Sequence, residues 1–372
     1  MIDFSYSSPS LAIYTSYTIF FVIIVFVGYQ KCVNLSNRYK HNKLFSFLVF
    51  VFVVTCSVTG DFYHYQQMVW NYDFTPGALN HGEPIYKYII GFVDRNYLLF
   101  RILVWGGGLL VYNKLVQRIG LNQSNVLFVM FSLYVLVYSY ARSSLAMVLY
   151  FWGVTVLVVN KKNILPGKII GLLLICLSYC FHHSMIIAIV LTPIIFIKLT
   201  KGRVLFLMTI LPLLFFIGKG YIQQLIFAES IFSNDDLQGT LEFYSNREVA
   251  ATNWKGKIYE FSGYLTFFIP LLTCLYSLYF RKKNRVNAPQ IIQAFLKLSI
   301  ALVLISVMFL FLDIQGKVFF YRILYMTFIP ISIVLYYIYD AGLIKKKTFC
   351  YIIAYGIAAQ LYRLLYSIYL YI

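Results

Sequence analysis

The chain has 372 residues, of which 61% are hydrophobic and only 12% are charged, and its mean hydropathy is +0.76. Soluble domains average about 45–50% apolar and about 25% charged residues, so the composition excludes a water-soluble protein and makes lipid the solvent for much of the surface. The net charge of +18 is divided among short clusters between apolar runs, which excludes a nucleic-acid-binding patch.

The apolar runs predict an all-α, polytopic membrane protein with about twelve transmembrane helices. No lysine or arginine precedes the first run, unlike in a cleaved signal peptide, so we expect it to remain as a span. Three glycines in the third span, Gly106 to Gly108, predict close helix packing. The predicted cores are 11–27, 44–59, 98–113, 126–140, 144–159, 169–181, 184–197, 204–217, 263–280, 291–312, 323–339 and 349–370.

The basic residues predict the orientation of these spans. One set of alternate loops holds 19 of the 31 lysines and arginines and only one of the 13 acidic residues, Asp340. Cytoplasmic loops are enriched in Lys and Arg. We therefore expect these loops in the cytoplasm and both termini on the outer side of the membrane.

Two predicted outer loops, about 60–97 and 218–262, are longer than ordinary connections. Loops of this length are usually functional or disordered, and their many aromatic residues argue against disorder. We expect part of each to form a helix at the membrane interface. No internal repeat divides the sequence, so residues 1–372 are expected to form a single transmembrane domain.

Two positions between predicted spans carry polar side chains suited to chemistry. Arg142 either meets lipid headgroups or binds a phosphate through its forked guanidinium. His182 and His183 have no third metal ligand at a recognisable spacing. They are either interfacial side chains or groups that act on a substrate, since histidine titrates near neutral pH.

Further candidates lie at or near other outer helix ends. Asp61 and Glu83 are carboxylates of the first outer loop, and such pairs suit acid–base work on hydroxyl groups and glycosidic oxygens. The alternative interpretation is ordinary solvated charge. Arg322, at the start of the eleventh span, either anchors that helix or binds an anion, while Arg101 and Arg363 are weaker candidates of the same kind.

Several short pieces, in this order along the chain, resemble the EpsG-like branch of Wzy-type polysaccharide polymerases. In that family the arginine of the third piece is often followed by Gln, whereas Ser143 follows it here. The pieces are Gly60-Asp61 with Tyr65, Glu83-Pro84, Arg142-Ser143-Ser144-Leu145-Ala146, Phe181-His182-His183-Ser184, and Arg322 with Tyr325.

The resemblance implies a many-helix fold, distantly like membrane glycosyltransferases that use polyprenyl-linked donors. It implies polymerisation of undecaprenyl-pyrophosphate-linked oligosaccharide repeat units into O-antigen or a related surface polysaccharide. No cofactor or metal is expected. The implied partners are the lipid-linked oligosaccharide and membrane lipid, with a chain-length regulator and a flippase as further possibilities. The provisional site comprises the catalytic candidates His182, Glu83 and Asp61 and the substrate-binding candidates Arg142, Arg322 and Tyr65.

Three other functions share parts of this pattern. An O-antigen ligase would use the same donor, and residue types alone do not distinguish it. A lipid-linked oligosaccharide flippase should have charges lining a central cavity, whereas the spans here are nearly free of charge. An O-acyltransferase would need a histidine facing a cytosolic acyl donor or a relay, whereas His182 is predicted outside.

Overall fold

The computed structural model describes residues 11–30, 42–58, 62–70, 84–140, 143–159, 164–198, 200, 254–280, 288–310 and 314–369, with isolated positions between 202 and 217. These residues form helices, turns and coil without a strand, which agrees with the all-α prediction. The helices are α1 (Leu11–Gly28), α2 (Lys43–Thr55), α3 (Phe62–Trp70), α4 (Pro84–Val93), α5 (Tyr97–Ile119), α6 (Gln123–Tyr140), α7 (Ser144–Val159), α8 (Ile164–Phe181), α9 (Met185–Leu191), α10 (Trp254–Leu275), α11 (Gln290–Leu310), α12 (Ile314–Tyr325), α13 (Phe328–Asp340) and α14 (Lys346–Tyr369).

Polar side chains and one glycine mark several helix ends. The side-chain oxygen of Asn42 accepts a hydrogen bond from Phe45 N at the start of α2, and that of Asn96 accepts one from Leu99 N at the start of α5. Such bonds satisfy amides that have no partner within the helix. Helix α5 ends at Gly120, whose φ of 83° is a left-handed conformation that glycine adopts without a steric penalty.

Within the described residues, five helices are long and apolar enough to cross a membrane: α1, α5, the stretch from Phe261 in α10 to Phe280 in the π-helical turn that continues it, and stretches of α11 and α14. Shorter apolar helices coincide with six other predicted spans. The predicted span 204–217 lies almost entirely outside the described residues. The chain is therefore a multi-pass membrane protein by its helices, and the number of twelve spans stays a prediction.

The first predicted outer loop contains two helices, α3 and α4, so 60–97 is not a loop throughout. The second, 218–262, lies outside the described residues up to Trp254, where α10 begins. The helical parts agree with the expectation that each loop is partly helical. The described contacts divide into two compact units, Met1–Ile186 with Leu335–Ile372 (unit 1) and Ile187–Val334 (unit 2). The single domain stays a prediction.

Unit 1 is built around α6 and α7, most of whose side chains are buried. On one side of α6, the rings of Phe52 and Phe131 meet edge to face at 5.4 Å, which packs α2 against α6. Elsewhere, Gln360 Nε2 of α14 donates to Leu133 O of α6 at 2.6 Å. Helix α7 packs against α8 where Gly153 and Gly171 face each other: a Cβ atom at Gly153 would lie 2.7 Å from Gly171 O.

One end of unit 1, which we term the basic end, gathers the start of α2, the end of α5, the start of α6 and the turn before α14. Asn42 N donates to Ser124 Oγ at 2.7 Å, and Asn125 Nδ2 donates to Tyr336 Oη at 2.8 Å. All of these segments are predicted on the same, cytoplasmic, side, so their meeting agrees with the predicted antiparallel course. The exposed basic residues here are Lys43, Lys114, Arg118, Lys345, Lys346 and Lys347.

Unit 2 has α11 as its most buried helix. Lys297 lies within this apolar helix, is only 7% exposed, and donates from Nζ to Ile195 O at 2.8 Å. Ile195 belongs to a 3₁₀ turn that continues α9. A lysine within an apolar span is costly unless its charge finds a partner, and here the carbonyl provides one.

Candidate functional site

Three of the six candidate residues, Asp61, Glu83 and Arg142, lie outside the described residues. Each comes just before a described helix in the sequence: Asp61 and Glu83 immediately precede α3 and α4, and Arg142 stands two positions before α7. The structure therefore describes the helices that follow these residues. It also describes Tyr65, His182 and Arg322 themselves.

Tyr65 lies on α3 and is 8% exposed. Its ring is 6.0 Å from the ring of Trp105, centroid to centroid. Trp105 belongs to a π-helical turn, Ile102–Gly106, within α5. Such turns widen a helix by one residue and are frequent at functional sites. The candidate tyrosine is thus packed against an irregular turn of a neighbouring helix.

A series of aromatic contacts connects the pair of Tyr65 and Trp105 to Phe181, the residue before His182. Phe100 meets Trp105 at 6.0 Å and Tyr86 at 6.2 Å, and Tyr86 in turn meets Phe181 edge to face at 5.9 Å. Ring pairs at these separations are attractive. We call this set, with Tyr65, the aromatic cluster; it comprises Tyr65, Tyr86, Phe100, Trp105 and Phe181.

His182 follows the last residue of α8 and is half-buried. Its main-chain N–H donates to the carbonyls of Ser178 and Tyr179, so the backbone here still completes the helix. His183 is exposed, and its ring lies 5.1 Å from that of Tyr179. The two neighbouring imidazoles thus differ in burial, in the direction expected if only His182 faces the helix bundle.

The helix ends on both sides of Arg142 are connected to the aromatic cluster. Ser144 Oγ, at the start of α7, donates to Tyr138 O of α6 at 2.8 Å. Tyr138 Oη donates to Trp105 O at 2.7 Å. A Cβ atom at Gly108 would lie 2.6 Å from that same hydroxyl, so the third glycine of the triplet allows the close approach of α6. These contacts support the packing role predicted for this glycine.

Arg101 is a central residue that the sequence ranks only as a weaker candidate. It is 1% exposed. Its Nε donates to Val54 O at 2.6 Å and its Nη2 to Val53 O at 2.7 Å, both at the end of α2. The guanidinium lies 4.5 Å from the centroid of Trp105, the ring that also contacts Tyr65. The sequence feature that could have identified Arg101 is its position as a charged residue inside the apolar stretch that begins at Tyr97.

Arg322 belongs to unit 2, where it is half-buried in the last turn of α12. The neighbouring Tyr321 stacks on Tyr264 of α10 at 5.4 Å, and their hydroxyl oxygens are 2.6 Å apart. Tyr325, one turn further on, stacks on Phe267 at 5.9 Å. The arginine therefore lies on a helix that is packed through aromatic side chains.

Helix ends that are distant in sequence meet at the end of unit 1 opposite the basic end. The contacts connect the end of α2, the body of α3 and the start of α4 with the beginning of α5, the end of α6, the start of α7 and the end of α8. Four candidate residues, Asp61, Glu83, Arg142 and His182, directly flank these helices in the sequence. Among the described residues, no group of three or more His, Cys, Asp or Glu side chains is placed to hold a metal ion.

The chain was compared with curated proteins, with solved structures and with protein families. No curated protein and no solved structure matches the chain. The EpsG family matches it over residues 44–371, which contain every candidate residue and all the described helices from α3 to α14. The chain therefore belongs to the EpsG family, a family of membrane proteins associated with polysaccharide synthesis.

Proposed function

We propose that this protein is a glycosyltransferase that polymerises undecaprenyl-pyrophosphate-linked oligosaccharide repeat units at the periplasmic face of the bacterial inner membrane. The product is O-antigen or a related surface polysaccharide. Both substrates are lipid-borne, which suits a chain whose surface is mostly apolar and which needs no nucleotide-sugar pocket.

One observation carries the proposal: the helices that adjoin Asp61, Glu83, Arg142 and His182 in the sequence converge at one end of unit 1. Carboxylates, an imidazole and a guanidinium are the groups needed to move a proton and to stabilise phosphate charge. The family match over residues 44–371 supports the same assignment.

The proposed reaction is a single displacement. The acceptor hydroxyl oxygen attacks the anomeric carbon of the donor glycan and forms the new glycosidic bond. The bond from that carbon to the pyrophosphate oxygen breaks, and lipid pyrophosphate leaves with the electron pair. The proton of the hydroxyl passes to a general base, for which Asp61, Glu83 and His182 are the candidates.

Cationic groups must stabilise the charge that develops on the leaving pyrophosphate. Arg142 and Arg322 are the alternative candidates for this task, because a guanidinium binds phosphate oxygens in a forked geometry that lysine does not reproduce. Tyr65 is assigned to substrate binding, where its ring offers a face to a sugar and its hydroxyl group a hydrogen bond.

The surface glycan of a deletion strain tests the function. For O-antigen, we expect single repeat units on lipid A where the parent strain shows long chains, with long chains restored by the wild-type gene. Complete loss of glycan from lipid A would instead indicate a ligase, and lipid-linked donor trapped in the cytoplasmic leaflet would indicate a flippase. Either of these results overturns the polymerase.

Arg142 variants test the site in the same strain. Arg142→Ala should abolish long chains at normal protein abundance, and Arg142→Lys should recover little of them. Arg118→Ala, which removes the same charge at the basic end, is the matched control and should leave the chain length unchanged. Normal polymer from Arg142→Ala would remove this residue from the mechanism.

Cysteine labelling tests the orientation. In a variant whose six native cysteines are replaced by alanine, cysteines at Asp73 and Asp236 should react with a membrane-impermeant thiol reagent once the outer membrane is permeabilised. A cysteine at Lys346 should react only after the inner membrane is lysed. The reverse pattern would place both long loops in the cytoplasm and exclude a periplasmic reaction.

A further inference from the structure

An open cleft of about 430 Å³ lies beside the aromatic cluster in unit 1. It is bounded by the end of α2, the face of α3 that carries Gln66 and Trp70, and the turn from α4 into α5. Arg101 connects the cleft to the aromatic cluster, because it lines the cleft and also contacts Trp105. Of the candidate residues that the structure describes, Tyr65, His182 and Arg322, none lines it.

The charges on the cleft favour an anionic ligand. Its lining includes two guanidinium groups, Arg95 and Arg101, and no carboxylate among the described residues that form it. The end of α2 also faces the cleft, and carbonyls at a helix C-terminus repel anions. Here, however, Arg101 donates to two of those carbonyls and Tyr17 Oη donates to that of Thr55. The side of the cleft formed by the end of α2 and by Arg101 is therefore positively charged.

The turn that carries Arg95 has an unusual backbone. Asp94 and Arg95 have φ angles of 43° and 66°, and both are non-glycine residues in the left-handed region. In this region the Cβ atom approaches the following carbonyl oxygen, so side chains other than glycine rarely adopt it. The hydrogen bonds from Asn96 N to Val93 O, at 2.9 Å, and from Leu99 N to the Asn96 side chain, at 3.0 Å, hold the turn between its two helices. The exposed Arg95 side chain lines the cleft as a result.

The rest of the lining is suited to a ligand at a membrane–water boundary. Trp70 and Leu98 are 49% and 56% exposed and give the cleft an apolar margin. Gln66 and Asn96 contribute side-chain amides. An anion, a polar group and an apolar chain are the three parts of a lipid-linked glycan. Helix α5, which begins at the cleft, is one of the helices long enough to span a bilayer.

We propose that this cleft binds the pyrophosphate of the acceptor, the lipid-linked repeat unit that keeps its carrier during the reaction. The proposed function, on which this assignment rests, uses two lipid pyrophosphates, and only the donor's leaves. The candidates for stabilising the leaving pyrophosphate are Arg142 or Arg322, not the arginines of this cleft. Arg95 contacts the acceptor phosphates directly, and Arg101 beneath it supplies a fixed positive charge.

The variant Arg95→Gly is the sharpest test. Glycine adopts a φ of 66° without strain, so the substitution removes the guanidinium while easing the backbone. The purified full-length protein is placed in nanodiscs of zwitterionic phospholipid, and native mass spectrometry counts the undecaprenyl pyrophosphate molecules bound. We expect two on the wild-type protein and one on Arg95→Gly. The matched control, Arg118→Ala, should retain two.

Affinity and kinetics separate the acceptor site from other sources of phosphate. Loss of a charge-assisted hydrogen bond should weaken binding of undecaprenyl pyrophosphate at this site by about tenfold or more. The KM for lipid-linked repeat units should rise by a similar factor while kcat is unchanged. Phosphatidylglycerol at an equal concentration should not displace the bound pyrophosphate.

Three results would overturn the proposal: two bound molecules on Arg95→Gly, equal displacement by phosphatidylglycerol, which marks a general headgroup site, or a fall in kcat alone. The binding measurement does not depend on turnover. Failure of the cleft assignment is therefore distinguishable from failure of the polymerase function, which the glycan of the deletion strain tests separately.

Discussion

Replacing Arg101 with methionine should destabilise unit 1, because this arginine completes the end of α2. The last four carbonyls of a helix have no donor within it. At the end of α2 all four are satisfied: Cys56 N serves one, Tyr17 Oη serves another, and Arg101 serves the remaining two at 2.6 and 2.7 Å. Arg101→Met leaves these two carbonyls without their donor.

The magnitude follows from the number of bonds lost. A buried carbonyl left without a partner costs about 1–3 kcal/mol, so two cost about 2–6 kcal/mol. Methionine keeps an unbranched side chain against Trp105, which limits the cavity. The variant no longer buries a charged guanidinium, and the desolvation energy that this saves offsets part of the loss. We expect Arg101→Met to lower the free energy of unfolding by about 2–4 kcal/mol.

The assay is the thermal denaturation of the detergent-purified protein, followed by size-exclusion chromatography of what remains monodisperse. Arg101→Lys should lie between the wild type and Arg101→Met, because a single ammonium group replaces a fork that reaches two carbonyls. Arg118→Met, on an exposed arginine at the other end of α5, should leave the melting temperature unchanged. If Arg101→Met melted with the wild type, the hydrogen bonds to α2 would contribute nothing and the reasoning would be refuted.

Two further predictions compare neighbouring or matched positions. His182→Ala should leave single repeats at equal protein abundance, and His183→Ala should keep long chains, because only His182 is half-buried at the end of α8; the opposite pattern on a glycan gel would assign the function to the exposed imidazole. Gly356→Ala should lower the melting temperature, because its Cβ would lie 3.0 Å from a carbonyl of α6 and closer still to a leucine side chain there. Gly107→Ala, with no neighbour nearer than 4.0 Å, should be neutral or slightly stabilising, and equal losses in the two variants would contradict the packing argument.

Local features of the chain predicted its class and much of its helical structure. Long apolar runs require helices in lipid, since every backbone amide and carbonyl must be satisfied within its own segment. Of the basic loops predicted on one side, the described ends of three, those before α2, α6 and α14, meet at the basic end of unit 1. The glycine triplet predicted close packing, which Gly106 and Gly108 show and Gly107 does not. The family also followed from short motifs, because these lie within the matched residues 44–371.

The tertiary structure alone decided which residues, distant in the sequence, lie against one another. Arg101 bonds to carbonyls 47 and 48 positions earlier in the chain, and Tyr65 meets a ring 40 positions later. Arg95 lines a cleft through a left-handed turn that its own sequence does not favour. The spacing of hydrophobic residues and the capping residues involve positions only a few residues apart in the sequence, so they predict where a helix begins and ends. The partners of Arg95, Arg101 and Tyr65 depend instead on which helices become neighbours, and that follows from the packing of the whole bundle.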